Sequence, residues 1–385
     1  MSREREARGE LHRRVRAFID ASENGETPAE SFDAIGLEIA RHQAEHVAAY
    51  GRLVASRRCQ PRDAASVRDL PAVPTDAFRL TRIAAHAPSE DVALFRTSGT
   101  TSGARGEHAL STTTTYEKAA LAWGRWALFS DAPSADASTM PAHSPVRTAI
   151  ALTPPRAPRP GDSSLHFMIQ LFATELARDA SYLQPSPDKL VDPEELRQAC
   201  AAARRAGDPA IIMGASFAFV HVLDVLGQDL LALPEGSRIM HTGGFKGRSR
   251  EVAPGELVSR MAATFGVPEN AVVGEYGMTE LSSQLYEGTW RKMRGLATPS
   301  ARHGVFVAPP WMRVVAVHPE TLAPLADGET GILRFEDLAN VDSALIVQTA
   351  DRGRCHGSTV ELLGRLPGAA PRGCALAVEE LMGSA

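Results

Sequence analysis

Long apolar runs are missing from this chain of 385 residues. No stretch approaches the ~20 apolar residues that a membrane helix requires, and the N-terminus has no apolar segment of the kind a signal peptide carries. Neither a membrane span nor a secretory leader is expected, which places the protein in the cytoplasm. Cysteine is scarce: Cys59, Cys200, Cys355 and Cys374 lie far apart without a Cys-x-x-Cys or His-Cys cluster. That spacing argues against a disulfide framework and against a zinc site, so any role for one of them is the role of a thiol. Charge of one sign is lacking too. The formal net charge is −5, and apart from a mixed run at 3–16 the acidic and basic residues are interspersed, so nucleic acid is not an expected partner. There is no internal repeat, no long low-complexity segment and no Gly-Lys-Ser/Thr of a Walker loop.

What is present is a hydrophobic content of 44%, enough for a large core in two or three layers or two domains. Residues 1–57 read as helical, with Leu11, Val15, Phe18 and Ile19 on one face and a second pattern at Phe32, Ile35, Leu37 and Ile39. The Pro-bearing segment 70–78 is expected to run extended against the core. Strand candidates at 148–152, 210–213, 239–241 and 271–273 alternate with helix candidates at 164–176, 193–205, 217–226 and 255–265. Such alternation predicts an α/β sheet, at least partly parallel, with ligands at the carboxyl ends of its strands. From about residue 312 short strands at 312–317, 331–335 and 345–348, with a turn at 326–328, suggest a β-rich C-terminal part.

The most informative stretch follows a short strand candidate near Val92, Leu94 and Phe95. Thr97, Ser98, Gly99, Thr100, Thr101, Ser102 and Gly103 form an unbroken run of threonine, serine and glycine, and Arg105 stands two residues beyond it. Small residues let backbone approach a polyphosphate while hydroxyls, amides and a guanidinium supply donors and charge. A flexible solvent-exposed linker has the same composition, and both readings stand at this point. Downstream, Thr242, Gly243 and Gly244 follow one strand, so that backbone is bare enough for a flat ring to lie on it. Glu275, Tyr276, Gly277, Met278, Thr279 and Glu280 follow the next, with an aromatic face for a base and a hydroxyl beside a carboxylate suited to magnesium. Asp351 after a late strand suits ribose hydroxyls, and Arg365 adds a cation.

The order and spacing of these segments resemble the adenylate-forming superfamily of acyl-, aryl- and aminoacyl-activating enzymes. The resemblance implies an α/β core of the N-terminal type found in that superfamily, with ATP and Mg2+ as cofactors. It makes residues 97–103 and Arg105 the phosphate site, Tyr276 the adenine platform, Glu280 the metal-associated carboxylate and Asp351 the ribose ligand. It also implies a division into an N-terminal helical layer at 1–85, the ATP-binding core at 86–310 and a small β-rich subdomain at 311–385. Only 20 residues follow Arg365, so the mobile C-terminal domain of the superfamily, with its lysine, is expected to be lacking. Lys246 and Arg248 are the cations considered in its place, and His166 lies where relatives put an aromatic or histidine beside the substrate carboxylate. The acid pocket is assigned to Phe167, Met213, Gly214, Ala215, Phe217, Thr242, Gly243 and Ser282, the small residues at 214 and 215 leaving room for a ring or chain.

Within the superfamily, the segments 73–78, 241–247 and 362–376 resemble the LuxE-like acyl-protein synthetases of bacterial luminescence systems. That likeness implies activation of a fatty or aromatic acid, transfer to Cys374, and delivery to a partner protein, an acyl reductase or a carrier. A ligase that passes its acyl group to CoA, a carrier protein or an amine, and a non-catalytic nucleotide-binding subunit, are the alternatives the residues leave open.

Overall fold

The structure is a computed structural model describing residues 2–97, 105–130, 146–154, 162–183, 191–243, 252–366 and 372–383. Three N-terminal helices, α1 (Ser2–Glu23), α2 (Phe32–His46) and α3 (Ala48–Ser56), open the chain. The anticipated faces point inward: Leu11, Val15, Phe18, Ile19, Phe32, Ile35 and Ile39 are all buried. The Pro-bearing segment then forms β1 (Val73–Pro74), paired in parallel with Val347–Gln348, and turns into α4 (Ala77–Leu80). Strands β2 (Ala93–Arg96) and β3 (Glu107–Leu110) pair antiparallel, and α5 (Thr114–Ala127) follows them.

The centre is parallel. Strands β4 (Thr148–Ala151), β5 (Asp179–Tyr182), β6 (Ala210–Ala215), β7 (Arg238–Thr242) and β8 (Val272–Tyr276) stand in the order β5-β4-β6-β7-β8. Helices α6 (Ser164–Glu175), α7 (Pro193–Ala206), α8 (Ser216–Leu226) and α9 (Pro254–Phe265) form the crossovers. Strands covered on both faces read as continuous apolar runs, and Ile211, Ile212, Met213, Ile239, Met240, Val272 and Val273 are fully buried. The helix ends carry their own signals. Asp192 caps α7 by accepting from Glu194 N at 2.9 Å, and Gly207 ends it with φ 72°, a conformation that spares the chain a Cβ clash. Because β4 leads to β5 on one side while β6 leads to β7 on the other, the strand order reverses between β4 and β6. In an open α/β sheet the crevice outside such a reversal is where ligands bind.

Beyond β8 the sheet turns antiparallel. Strand β9 (Leu285–Glu287), the short helix α10 (Thr289–Met293), β10 (Val305–Val307), β11 (Met312–Val317), β12 (Thr330–Asp337), β13 (Ile346–His356) and β14 (Thr359–Arg365) follow. They continue the same hydrogen-bonded path as β8-β9-β10-β14-β13-β12-β11, giving a twelve-stranded sheet among the described residues. Helix α11 (Arg372–Met382) closes the chain and packs into a second apolar core with α3, β12 and β13, through Ala377, Leu381, Tyr50, Leu53, Leu333 and Val347.

Candidate active site

Two motif strands separated widely in sequence meet at the end of β8. The Tyr276 hydroxyl donates to Asp351 Oδ2 at 2.7 Å. Its ring stacks on Phe335 at 5.6 Å with 16° between planes. Burial, with the charge of Asp351 beside it, raises the phenol well above its ordinary value. Asp351 lies opposite Arg365 across the β13–β14 ladder, and Arg365 Nε stands 3.9 Å from Asp351 Oδ1. Thr349 Oγ1 accepts from Asp351 N at 3.1 Å and fixes the strand locally. The result is an aromatic platform with a carboxylate and a guanidinium at its rim.

The β2–β3 hairpin is tied to the segment that begins at Tyr276. At its base Gly106 N donates to Thr97 Oγ1 at 2.9 Å, and Arg105 Nε donates to the Thr97 carbonyl at 2.6 Å. Ser98, Gly99, Thr100, Thr101, Ser102 and Gly103 lie outside the described residues, as do Gly244, Lys246 and Arg248. On β3, His108 is completely buried; its Nδ1 meets the Thr279 carbonyl at 2.7 Å and its Nε2 meets Ser343 Oγ at 2.9 Å. A carbonyl only accepts, so Nδ1 carries the proton and Nε2 accepts from the serine. Burial lowers this histidine to about 4 despite the Thr279 bond, and it stays neutral. Glu280 is buried beside it, and its carbonyl accepts from Asn340 Nδ2 at 2.9 Å.

At the carboxyl ends of β6, β7 and β8 a polar row crosses the strands. Ser216 Oγ meets His241 Nδ1 at 3.1 Å and the Thr242 carbonyl at 3.2 Å. Thr242 Oγ1 in turn donates to the buried Glu275 carboxylate. Gly243 follows with φ 72°. Gly277 sits so close to Glu275 that a Cβ there would meet Oε1 at 2.4 Å. Met213 is fully buried, and the space that a side chain on Gly214 would need is filled by Leu152, 2.8 Å from an ideal Cβ. Close packing of β4 on β6 therefore accounts for Gly214, in place of the room for substrate that its size suggests. Ala215 and Phe217 stand at the start of α8, partly buried. Phe167 closes an aromatic group with Phe95 and Tyr116, at 5.5 Å from each. His166 stands in the first turn of α6, half-buried, with its basicity lowered by burial. Ser282 is buried on the far side of Glu280, where its N–H donates to Asp337 Oδ2 at 3.0 Å.

Residues 186–383 match the family model described as acyl-protein synthetase, LuxE. The chain belongs to the LuxE acyl-protein synthetase family. Two curated relatives are long-chain-fatty-acid–luciferin-component ligases. That of Aliivibrio fischeri is 36% identical over 83 residues, which are 19% of this chain and 22% of that protein. That of Vibrio harveyi is 32% identical over 79 residues, 19% of this chain and 21% of that protein. The matched stretch is thus about a fifth of each relative. Among solved structures, 2-hydroxyisobutyryl-CoA ligase in an open conformation with 2-HIB-AMP and CoA gives a TM-score of 0.58 at 14% identity, covering 91% of this chain and 82% of that one. The same ligase in the postadenylation state gives 0.58 at 14% identity, covering 89% and 73%. At such identity the likeness is one of fold: the α/β sheet and its helices have the architecture of that ligase's core.

In this family member the C-terminal cysteine is set in an apolar nest. Cys374 lies in the first turn of α11 and is buried with Val315, Val317 and Ile332, while Leu322 and Leu366 pack against that group. Burial, and secondarily Asp76, pushes its thiol up to about 11. Leu366 N donates to the Ala350 carbonyl at 3.0 Å, so the nest adjoins the strand that carries Asp351. Residues with no sequence signal complete the frame. Glu287 accepts from His303 Nδ1 at 2.8 Å and from Gly274 N at 2.9 Å. Burial would raise it, but the bond and charge of His303 hold it below its ordinary value. Asp337, entirely buried, is pushed up to about 6 by burial against the hydrogen bonds of Ser283, Ala339 and Ser282. Glu287 sits in a three-residue strand and Asp337 at the very end of β12, so neither falls in a periodic pattern that sequence alone would mark.

Proposed function

We propose that this protein activates a carboxylic acid with ATP and passes the acyl group to a thiol. In the first step a carboxylate oxygen attacks the α-phosphorus. The bond from that phosphorus to the β-bridging oxygen breaks, and pyrophosphate leaves with the electron pair. In the second step the Cys374 sulfur attacks the acyl carbon, AMP departs with its oxygen, and the thiol proton goes to solvent. A partner acyl reductase or carrier would then take the acyl group from the thioester. The names of the matched relatives, ligases for long-chain fatty acids, favour a fatty acid over an aromatic one.

The observation that carries this reading is the hydrogen bond from Tyr276 to Asp351. It joins the residue suited to stack on adenine with the residue suited to hold ribose. The residues also fit a magnesium ion, because Mg2+ is commonly held by one or two carboxylates together with substrate phosphates. Glu280 would hold the ion, with Thr279 beside it, and when bound it would neutralise charge building up on the phosphates. Arg105, near the tip of the hairpin, would supply fixed charge to the same oxygens. Thr242, Gly243 and Phe167 would border the acid. His166, neutral through its burial, would sit beside the carboxylate without repelling the nucleotide's cation.

Intact-protein mass after incubation with ATP, magnesium and a panel of fatty and aromatic acids tests the proposal, with wild type and Cys374→Ala in parallel. An acyl adduct on the wild type alone is the expected result. AMP formation without an adduct would replace the second step with capture by CoA, a carrier protein or an amine. Absence of AMP with every acid would overturn the activation step itself.

A further inference from the structure

The outer face of the β2–β3 hairpin forms one wall of a cleft of about 430 Å3, with the segment from α4 to Ile83 opposite it. The alternation of a strand puts every second residue on one face. Arg96 pairs with Glu107 across the ladder, and Arg105 lies two residues before it, so all three share the outward side while Phe95 and His108 face the core. Arg79 and Arg82 approach from the other wall. Phe78, Leu80 and Ile83 line the same cleft. Four guanidiniums and one carboxylate, Glu107, thus stand among apolar walls, a lining that is net positive.

Their existing partners are side-chain carboxylates and backbone carbonyls. Arg79 pairs with Asp76 at 3.4 Å and Arg96 with Asp162 at 2.6 Å and Glu107 at 3.0 Å, all with partly exposed side chains. Arg82 pairs with Asp91 at 2.5 Å. The exposed pair of Arg79 contributes little, whereas Asp91 holds Arg82 through both its oxygens, at 2.5 and 3.1 Å; each arginine still keeps part of a five-donor guanidinium free. Arg105 bonds only backbone carbonyls among the described residues, at Thr97 and Arg96. A compact anion of several charges would outcompete single carboxylates here, through bidentate contacts to more than one arginine.

We infer that this cleft is a separate binding site for inorganic pyrophosphate, which it would receive as the leaving group departs the phosphate loop. The assignment rests on the activation reaction proposed above, because that reaction supplies the anion. Arg105 would be shared between loop and cleft, whereas Arg79 and Arg82 would serve the cleft alone.

Calorimetric titration with sodium pyrophosphate, and separately with a non-hydrolysable ATP analogue, tests this on wild type, Arg79→Glu and the Arg79→Ala/Arg82→Ala double variant. Removal of one charge-assisted contact is expected to weaken pyrophosphate about tenfold, with affinity for the analogue changed less than twofold. Arg82 also holds Asp91 and the His86 carbonyl, so Arg79→Glu, which leaves those bonds intact, keeps the test valid if the double variant does not fold. No binding of pyrophosphate to the wild type, unchanged affinity in a folded Arg79→Glu protein, or equal weakening of both ligands would each overturn the inference. The titration requires no turnover. Arginine-dependent binding without acid-dependent AMP formation would therefore retain the site and reject the reaction.

Discussion

Replacing His108 with leucine tests whether one buried imidazole holds the β2–β3 hairpin against the Tyr276–Glu280 turn. The substitution keeps most of the volume and removes both bonds, leaving the Thr279 carbonyl and the Ser343 hydroxyl without their partners. Such a buried orphan costs about 1–3 kcal/mol, and Thr279 is only partly buried, so the expected loss is about 2–4 kcal/mol by urea unfolding at pH 8. A second effect has the opposite sign as pH falls. The unfolded histidine takes up a proton near 6.5 while the folded one resists until about 4. Below 6.5 the unfolded state therefore binds more protons, and wild type loses stability on acidification. At pH 5.5 that loss is about 1.4 kcal/mol from His108 alone. The leucine variant lacks it, so the gap between the two proteins should narrow by that amount from pH 8 to 5.5. His108→Asn, which keeps a donor near the Nδ1 position, should recover part of the loss. A variant within about 0.5 kcal/mol of wild type at pH 8, or a gap that does not change with pH, would refute the strut.

Other substitutions probe other parts of the frame. Asp342 accepts from Ser111 N and Oγ and faces His12 and His86; burial would raise it, yet His12, His86 and the Ser111 N–H lower it from 3.8 to about 2. The stabilisation, about 2.4 kcal/mol, is present above pH 4 and fades as pH falls toward 2, so Asp342→Asn should lose about that much in urea melts at pH 7 and 5 alike. A thiol raised to about 11 is about one part in a thousand thiolate at pH 8, so native Cys374 should react with iodoacetamide at least a hundredfold more slowly than in the denatured chain, read by peptide mass. Gly214→Ala drives a methyl to 2.8 Å from Leu152 Cβ, and overpacking of this kind should cost about 1–3 kcal/mol in the same melts.

The parallel half of the fold was legible because its strands are buried on both faces and its helices carry caps. The runs at 148–152 and 210–213 fall on β4 and β6, and the pattern starting at Pro193 falls on α7 between Asp192 and Gly207. Strands β3 and β9 escaped notice because they are short and hold His108 and Glu287, and the seven-residue β14 because Glu361 and Gly364 break the alternation expected of a half-buried strand. Helix α11 buries Cys374, Ala377 and Leu381 at helical spacing, but small residues at two of the three positions make that face faint in sequence. At the site, residue type alone singled out Tyr276, Asp351 and Arg365, whereas their meeting depends on a register that pairs Asp351 with Arg365 and brings β13 within reach of β8. Gly214 shows the limit of reading size as space, because a glycine facing a leucine leaves none.

Acid-dependent exchange of labelled pyrophosphate into ATP, compared between wild type and Asp351→Ala, tests the nucleotide site and the activation step together. Exchange should require a fatty or aromatic acid, and loss of the charge-assisted bonds to ribose should lower it about a hundredfold. Exchange that persists undiminished in Asp351→Ala, or is absent from the wild type with every acid, would contradict a nucleotide site built on Tyr276 and Asp351.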